Sequence, residues 1–152
     1  MASRRRAREF ALQALYAADV AAVPSAAAIS GVLAARLDDA DADAEPVDAE
    51  EMEFARTLVA GVLDDRDAID KRIEAASENW RLARMPTVDR NILRLGAFEL
   101  EKRADIPASV AINEAIELAK RYGGGESRAF VNGILDRIAS EVGRGGRRSG
   151  KK

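Results

Sequence analysis

The sequence contains neither cysteine nor histidine among its 152 residues. The missing cysteine excludes disulfides, thiolate catalysis and cysteine-ligated zinc, and the missing histidine excludes imidazole acid–base catalysis and histidine metal sites. No apolar run approaches the roughly 20 residues that cross a bilayer, and the N-terminus lacks the apolar core of a signal peptide. Together with the lack of any catalytic constellation elsewhere in the sequence, these absences predict a cytoplasmic protein that uses no cofactor and no metal, spans no membrane and is not an enzyme.

Aromatic residues are also scarce, at 5% of the chain, although apolar residues reach 47% and alanine supplies much of that share. Alanine favours helices because it loses no side-chain entropy when the backbone becomes ordered. Apolar residues recur at helical spacing, and no alternation typical of a strand is present. We therefore predict an all-α fold of about seven helices. The predicted helices are Arg4–Val20, Ser25–Leu37, one that follows Asp48, a short one that ends near Trp80, Thr87–Arg103, Ser109–Tyr122 and Ser127–Val142.

These helices suffice for two small bundles, and we place the N-terminal lobe at residues 1–79 and the C-terminal lobe at residues 80–142. The fifth helix is apolar on more than one face, which predicts that it is the central and most buried helix. Residues 143–152 are rich in glycine and in basic side chains, and we expect them to form a disordered basic tail.

Charge is distributed unevenly, although the formal net charge is only −2. Every charged residue between Asp38 and Glu53 is acidic, and the first part of that stretch has no apolar period, which is typical of a solvated loop. Asp48 and Glu51 have the spacing of a capping box at the start of a helix. The positive charge gathers at the two ends of the chain, so the bulk isoelectric point says little about nucleic-acid binding.

The arginine run near the N-terminus, Arg4, Arg5, Arg6 and Arg8, has two interpretations. The first is a solvated helix start without a specific role. Cations at a helix N-terminus oppose the helix dipole, however, at a cost of about 0.3–1 kcal/mol. The second interpretation is that these guanidinium groups hold an external anion, because guanidinium groups grip phosphates with two hydrogen bonds and stack on bases.

A second basic and aromatic cluster lies between the last two helices. Gly123–Gly125 is expected to end the sixth helix with a left-handed turn, and it lacks the residues of a phosphate-binding loop. Lys120, Arg128 and Phe130 flank this turn. An exposed aromatic ring among cations can stack on unpaired bases, whereas a buried Phe130 would simply be a core residue. Tyr16 on the first helix could be a second stacking ring, or it could simply be a core or rim tyrosine.

Five motifs occur in order along the chain and together resemble the NusB family of bacterial transcription antitermination factors. They are Arg4–Glu9, Gln13–Tyr16, Val88–Arg94, Ala111–Lys120 and Phe130–Leu135. The resemblance extends from Arg4 to about Ile138, and the loop at residues 38–47 and the tail look idiosyncratic. The turn at Gly123–Gly125 is also richer in glycine than the resemblance leads us to expect.

The resemblance implies an all-helical fold of two bundles and a protein that binds the single-stranded boxA element of nascent ribosomal RNA transcripts. It also implies two partners, the ribosomal small-subunit protein NusE and an antitermination complex with RNA polymerase, and it leaves a homodimer open. The implied RNA-binding residues are Arg4, Arg5, Arg6, Arg8, Tyr16, Lys120, Arg128 and Phe130. Asp89 matches an acidic position of the NusE interface, although a carboxylate there also suits a helix N-terminus.

Two other classes of function are to be weighed against RNA binding. In a pure protein–protein adaptor the arginines would be incidental and only the partner surface would matter. A related helical domain also precedes the catalytic part of some ribosomal RNA cytosine methyltransferases. This sequence contains no cysteine nucleophile and no dinucleotide-type glycine loop, so methylation by this polypeptide is excluded.

Overall fold

A computed structural model describes residues 3–22, 25–38, 46–78 and 80–144. The helices within these ranges are α1 (Arg4–Ala21), α2 (Ser25–Asp38), α3 (Ala49–Asp64), α4 (Arg66–Ala76), α5 (Thr87–Lys102), α6 (Ala108–Tyr122) and α7 (Ser127–Glu141), with a short 3-10 turn at Leu82–Arg84. The described ranges contain no strand. The all-α prediction is therefore confirmed, and the predicted ends of α1 and α6 lie within one residue of the observed ones.

The chain divides into two compact units, Met1–Leu63 and Asp64–Lys152. In the first unit α1 packs on α2, and α1 buries Phe10, Leu12 and Leu15. The N-terminus of α3 has the predicted capping box. Asp48 accepts a hydrogen bond from the N–H of Glu50 at 2.7 Å and donates its own N–H to Glu51 at 3.1 Å.

The division between the units differs by one helix from the predicted boundary at residue 79. α4 packs on α5 and α7 and thus belongs to the second unit. Two ion pairs hold it there: Arg94 donates to both carboxylate oxygens of Asp70, at 2.8 and 3.0 Å, and Arg72 donates to Glu101 at 2.7 Å. The helical period of α4 reveals its apolar face but gives no sign of these long-range partners.

α5 is the centre of the second unit, as its apolar pattern predicts. It packs against α4, α6 and α7, and every residue from Asn91 to Leu100 is buried. α5 and α7 approach closely at Gly96, where a Cβ atom would lie 2.6 Å from Leu135 Cδ1.

The predicted disordered tail falls mostly outside the described residues, but its first two residues are placed. The guanidinium group of Arg144 donates to the main-chain oxygens of Leu100 at 3.0 Å and Glu99 at 3.3 Å, and it also reaches Ile106. These oxygens belong to the last turn of α5 and the loop after it. Arg144 is therefore an ordered cap of α5, which corrects the prediction for this residue.

Among the described residues, no single helix is long and apolar enough to cross a membrane. α1 and the first part of α2 reach that composition only when they are taken together, and their axes bend by 118° at the break between them.

Candidate functional site

The four arginines at the start of α1 occupy different environments. The side chain of Ser3 caps the helix by accepting a hydrogen bond from the N–H of Arg6 at 3.1 Å. Arg4 and Arg5 are exposed, Arg6 is partly buried and Arg8 is only 4% exposed. The prediction that all four face RNA is therefore corrected for Arg8, whose position leaves almost no surface for a phosphate.

Arg6 binds a buried carboxylate within the first unit. Its guanidinium group donates to Glu51 Oε1 at 2.5 Å and to the main-chain oxygen of Pro46 at 2.8 Å. Glu51 is 2% exposed and also accepts the N–H groups of Ser3 at 2.7 Å and Asp48 at 3.1 Å. The Glu51 carboxylate thus joins the first turns of α1 and α3, and its negative charge offsets part of the positive charge of the arginines at the start of α1.

Burial alone raises the pKa of Glu51, but the hydrogen bond from Arg6 and those from the N–H groups of Asp48 and Ser3 outweigh it and hold the pKa below the ordinary 4.5. The carboxylate therefore contributes stability above its unfolded pKa, and this contribution is lost as the pH falls through the lower folded pKa.

We expect urea midpoints of Glu51→Gln to depend less on pH between about pH 5 and pH 3 than those of the wild type. Glu53→Gln, at an exposed position of the same helix, should keep the wild-type dependence; equal curves for all three proteins would refute the role of Glu51.

Phe54 on α3 fixes two further arginines. The guanidinium carbon of Arg4 lies 4.4 Å from the centre of the Phe54 ring, and that of Arg8 lies 5.3 Å from it. Such cation–π contacts orient guanidinium groups without neutralising their charge. The result is a helix start in which Arg6 and Arg8 are structural, while Arg4 and Arg5 present positive charge to solvent.

Tyr16 lies three turns further along α1 and is 40% exposed. Tyr16 is therefore not a core residue, since a core tyrosine would be buried, and the choice between a rim tyrosine and a stacking ring stays open. Its ring has accessible surface on the same unit as the arginines.

The second unit carries the other predicted cluster. Lys120 is exposed at the end of α6 and lies 3.4 Å from the Glu117 carboxylate. Arg128 is exposed in the first turn of α7. Phe130 is only partly exposed, because its ring meets Trp80 edge to face, with 5.0 Å between ring centres and 72° between ring planes. Trp80 is not among the residues predicted from the sequence, although it directly precedes Arg81.

Asp89, the predicted NusE contact, is only 5% exposed. Its carboxylate accepts a hydrogen bond from Ser127 Oγ at 2.7 Å, and Ser127 Oγ accepts one from the N–H of Gly124 at 3.0 Å. This chain of hydrogen bonds joins the first turns of α5 and α7. The burial of Asp89 favours the helix-terminus interpretation over direct contact with a partner protein.

Asp89→Ala should destabilise the protein by about 1–3 kcal/mol, because it leaves the buried Ser127 hydroxyl without its acceptor. Asp89→Asn keeps an acceptor oxygen and should lose less. The free energies of unfolding from urea titration test this order, and a wild-type stability for Asp89→Ala would contradict it.

Gly123, the first of the glycines before α7, serves a different purpose from the predicted one. Gly123 has a φ of −93°, so α6 does not end in a left-handed residue. A Cβ atom on Gly123 would lie 2.5 Å from Ser127 Oγ and 2.9 Å from the main-chain oxygen of Ala119. Glycine is needed here for the close approach to Ser127, and the prediction of a left-handed turn was wrong.

Comparison with known proteins identifies relatives along most of the chain. The model of the NusB family matches residues 5–140. The transcription antitermination protein NusB of Myxococcus xanthus is 51% identical over 139 residues, which cover 91% of this chain and 96% of that protein.

Two solved structures share the fold. T. maritima NusB has a TM-score of 0.79 and 38% identity, covering 93% of this chain and 94% of that one. Antitermination factors NusB and NusE in complex with double-stranded RNA give a chain with a TM-score of 0.79 and 25% identity, covering 91% of this chain and 96% of that one.

Proposed function

The chain belongs to the NusB family, and on that premise we propose that it is an RNA-binding transcription antitermination factor. Its ligand is the boxA element of nascent ribosomal RNA, bound as a single strand together with the ribosomal protein NusE. The protein works in the cytoplasm within an antitermination complex that contains RNA polymerase, and it catalyses no reaction.

The observation that carries this proposal is the divided role of the arginines at the start of α1. Glu51 holds Arg6, and the Phe54 ring orients both Arg4 and Arg8. Arg8 is buried there, whereas Arg4 and Arg5 stay exposed at the same helix end. A fixed backbone with exposed guanidinium groups suits phosphate binding, because little side-chain and backbone freedom is then lost when the anion binds. Tyr16 adds an exposed aromatic ring on the same helix.

The second unit supplies its own basic residues. Lys120 and Arg128 are exposed, and the partly exposed Phe130 lies one helical turn from the start of α7. Cations combined with aromatic rings are the usual means of holding single-stranded RNA. We propose that Lys120 and Arg128 contact the RNA backbone.

NusE is proposed as the partner because a relative of this fold is found with NusE and RNA. We propose that the N-terminal part of α5 forms part of the NusE contact, with buried Asp89 positioning that helix rather than touching the partner. Self-association of the protein stays open.

The test is fluorescence anisotropy with a short boxA-like single-stranded RNA, a scrambled strand and the corresponding duplex. The boxA-like strand should bind most tightly, and the logarithm of its binding constant should fall with the logarithm of salt concentration by about 0.7 per phosphate contacted. The duplex is included because the related complex contains double-stranded RNA. Absence of RNA binding, with NusE binding intact, would favour the pure protein–protein adaptor.

A further inference from the structure

Trp80, the only tryptophan of the sequence, is 48% exposed in the second unit. An indole ring carries a large apolar surface, and leaving half of it in water costs free energy unless a ligand covers it. Its ring packs edge to face against Phe130, and this contact orients both rings while Trp80 stays exposed and Phe130 partly exposed. Trp80 therefore offers more accessible aromatic surface than Phe130 does.

The backbone around Trp80 is fixed on both sides. Trp80 donates its N–H to the main-chain oxygen of Ser77 at 3.3 Å, and its own oxygen accepts from the Ser77 hydroxyl at 3.2 Å. Two residues later, the buried Leu82 donates its N–H to the Glu74 carboxylate at 2.8 Å. A residue whose backbone is held in this way loses little backbone freedom when a ligand stacks on its ring.

α7 holds the same segment at a second point. The guanidinium group of Arg137 donates to the main-chain oxygen of Ala76, the last residue of α4, and lies 3.8 Å from the Glu78 carboxylate. Phe130 and Arg137 are seven residues, or about two turns, apart on α7. One face of α7 thus holds the segment that carries Trp80 through both Phe130 and Arg137, so the contact between the two rings is not an isolated one.

The charges near the two rings in sequence favour an anionic ligand. Arg81 follows Trp80 directly, Arg84 lies one turn further on and Arg128 comes two residues before Phe130; all three are exposed. Among the described residues, no carboxylate pairs with any of them. The exposed acidic neighbours are Glu78, which pairs with Arg137, and Glu126. An aromatic ring combined with unpaired guanidinium groups matches a base attached to phosphates better than it matches a basic protein.

We infer that Trp80 is a stacking residue for an unpaired base of bound single-stranded RNA. Phe130 positions the indole, and Arg81 and Arg128 contact phosphates beside the stacked base. The inference rests on the proposed function and extends it to a residue and a mode of contact.

The single tryptophan makes a direct experiment possible, because the intrinsic emission of the full-length protein reports on Trp80 alone. Titration with the boxA-like RNA should quench this emission in parallel with the rise in RNA anisotropy.

Trp80→Ala should weaken RNA binding by roughly 5- to 150-fold, the range that one stacked base contributes. Trp80→Phe should keep most of the wild-type affinity, because it keeps an aromatic ring. In both variants the dependence of the binding constant on salt concentration should equal that of the wild type, since neither removes a phosphate contact. Val110→Ala, which trims another exposed apolar side chain of the same unit, should bind like the wild type.

Three results would overturn the inference while leaving the proposed function intact. They are RNA binding without any change of emission, an unchanged affinity of Trp80→Ala, and a loss in Trp80→Ala of NusE binding alone. If the wild-type protein bound no RNA, the proposed function itself would fail. Circular dichroism checks that Trp80→Ala folds. If it does not fold, the inference is tested by whether RNA quenches the wild-type emission and whether Trp80→Phe keeps most of the affinity.

Discussion

Replacing Arg4 and Arg5 together by glutamate is expected to weaken binding of single-stranded RNA by about 100-fold, because each lost hydrogen bond from a cation to a phosphate removes about 1.5 kcal/mol. The logarithm of the binding constant should also depend less steeply on the logarithm of salt concentration, by about 1.4, which corresponds to two lost phosphate contacts. Anisotropy titrations at several salt concentrations measure both quantities. The fold should survive, since acidic side chains in the first turn of a helix interact favourably with its dipole.

The choice of these two positions follows from the structure. Arg6→Glu would place a second carboxylate against the buried Glu51, and Arg8 is only 4% exposed, so either replacement would disturb the fold as well as RNA binding. Arg4 also contacts the Phe54 ring, but it is exposed, so its replacement removes only that cation–π contact. Arg56→Glu combined with Lys71→Glu reverses two exposed charges elsewhere and is the matched control for net charge. Equal losses in the control and in the Arg4 and Arg5 variant would mean that only bulk charge matters.

Leu95→Ala is expected to destabilise the protein by about 2–5 kcal/mol. Leu95 is 2% exposed in α5, the helix that packs against α4, α6 and α7. Truncation removes buried apolar surface and leaves a cavity, because three surrounding helices cannot all move inward to fill it. Urea denaturation followed by circular dichroism gives the free energy of unfolding of the variant and of the wild type.

Val110→Ala is the matched control for this measurement, because Val110 is 41% exposed on α6 and its loss should change stability by less than about 0.5 kcal/mol. A loss below about 1 kcal/mol in Leu95→Ala would show that α5 is not the centre of the core.

Local sequence signals predicted the helices well. The capping box of Asp48 and Glu51 and the apolar surface of α5 depend on residues within a few positions of each other, and these features occur as expected. The helical spacing of apolar residues also gave the all-α fold without any information on tertiary contacts.

The predictions that needed correction depend on partners distant in sequence. Arg6 finds Glu51 45 residues away, and Asp89 finds Ser127 38 residues away. The pairing of Trp80 with Phe130 spans 50 residues and joins the segment after α4 to α7. No spacing rule encodes which buried carboxylate meets which donor, so the sequence alone does not distinguish the structural Arg6 from the exposed Arg4.

The most direct test of the central claim is the affinity of this protein for boxA-like single-stranded RNA measured with and without NusE, beside a scrambled strand of the same length. The account predicts that the boxA-like strand binds more tightly than the scrambled one and that NusE increases this difference. Equal, weak and salt-sensitive binding of both strands, unchanged by NusE, would contradict it and would leave only a generic basic surface.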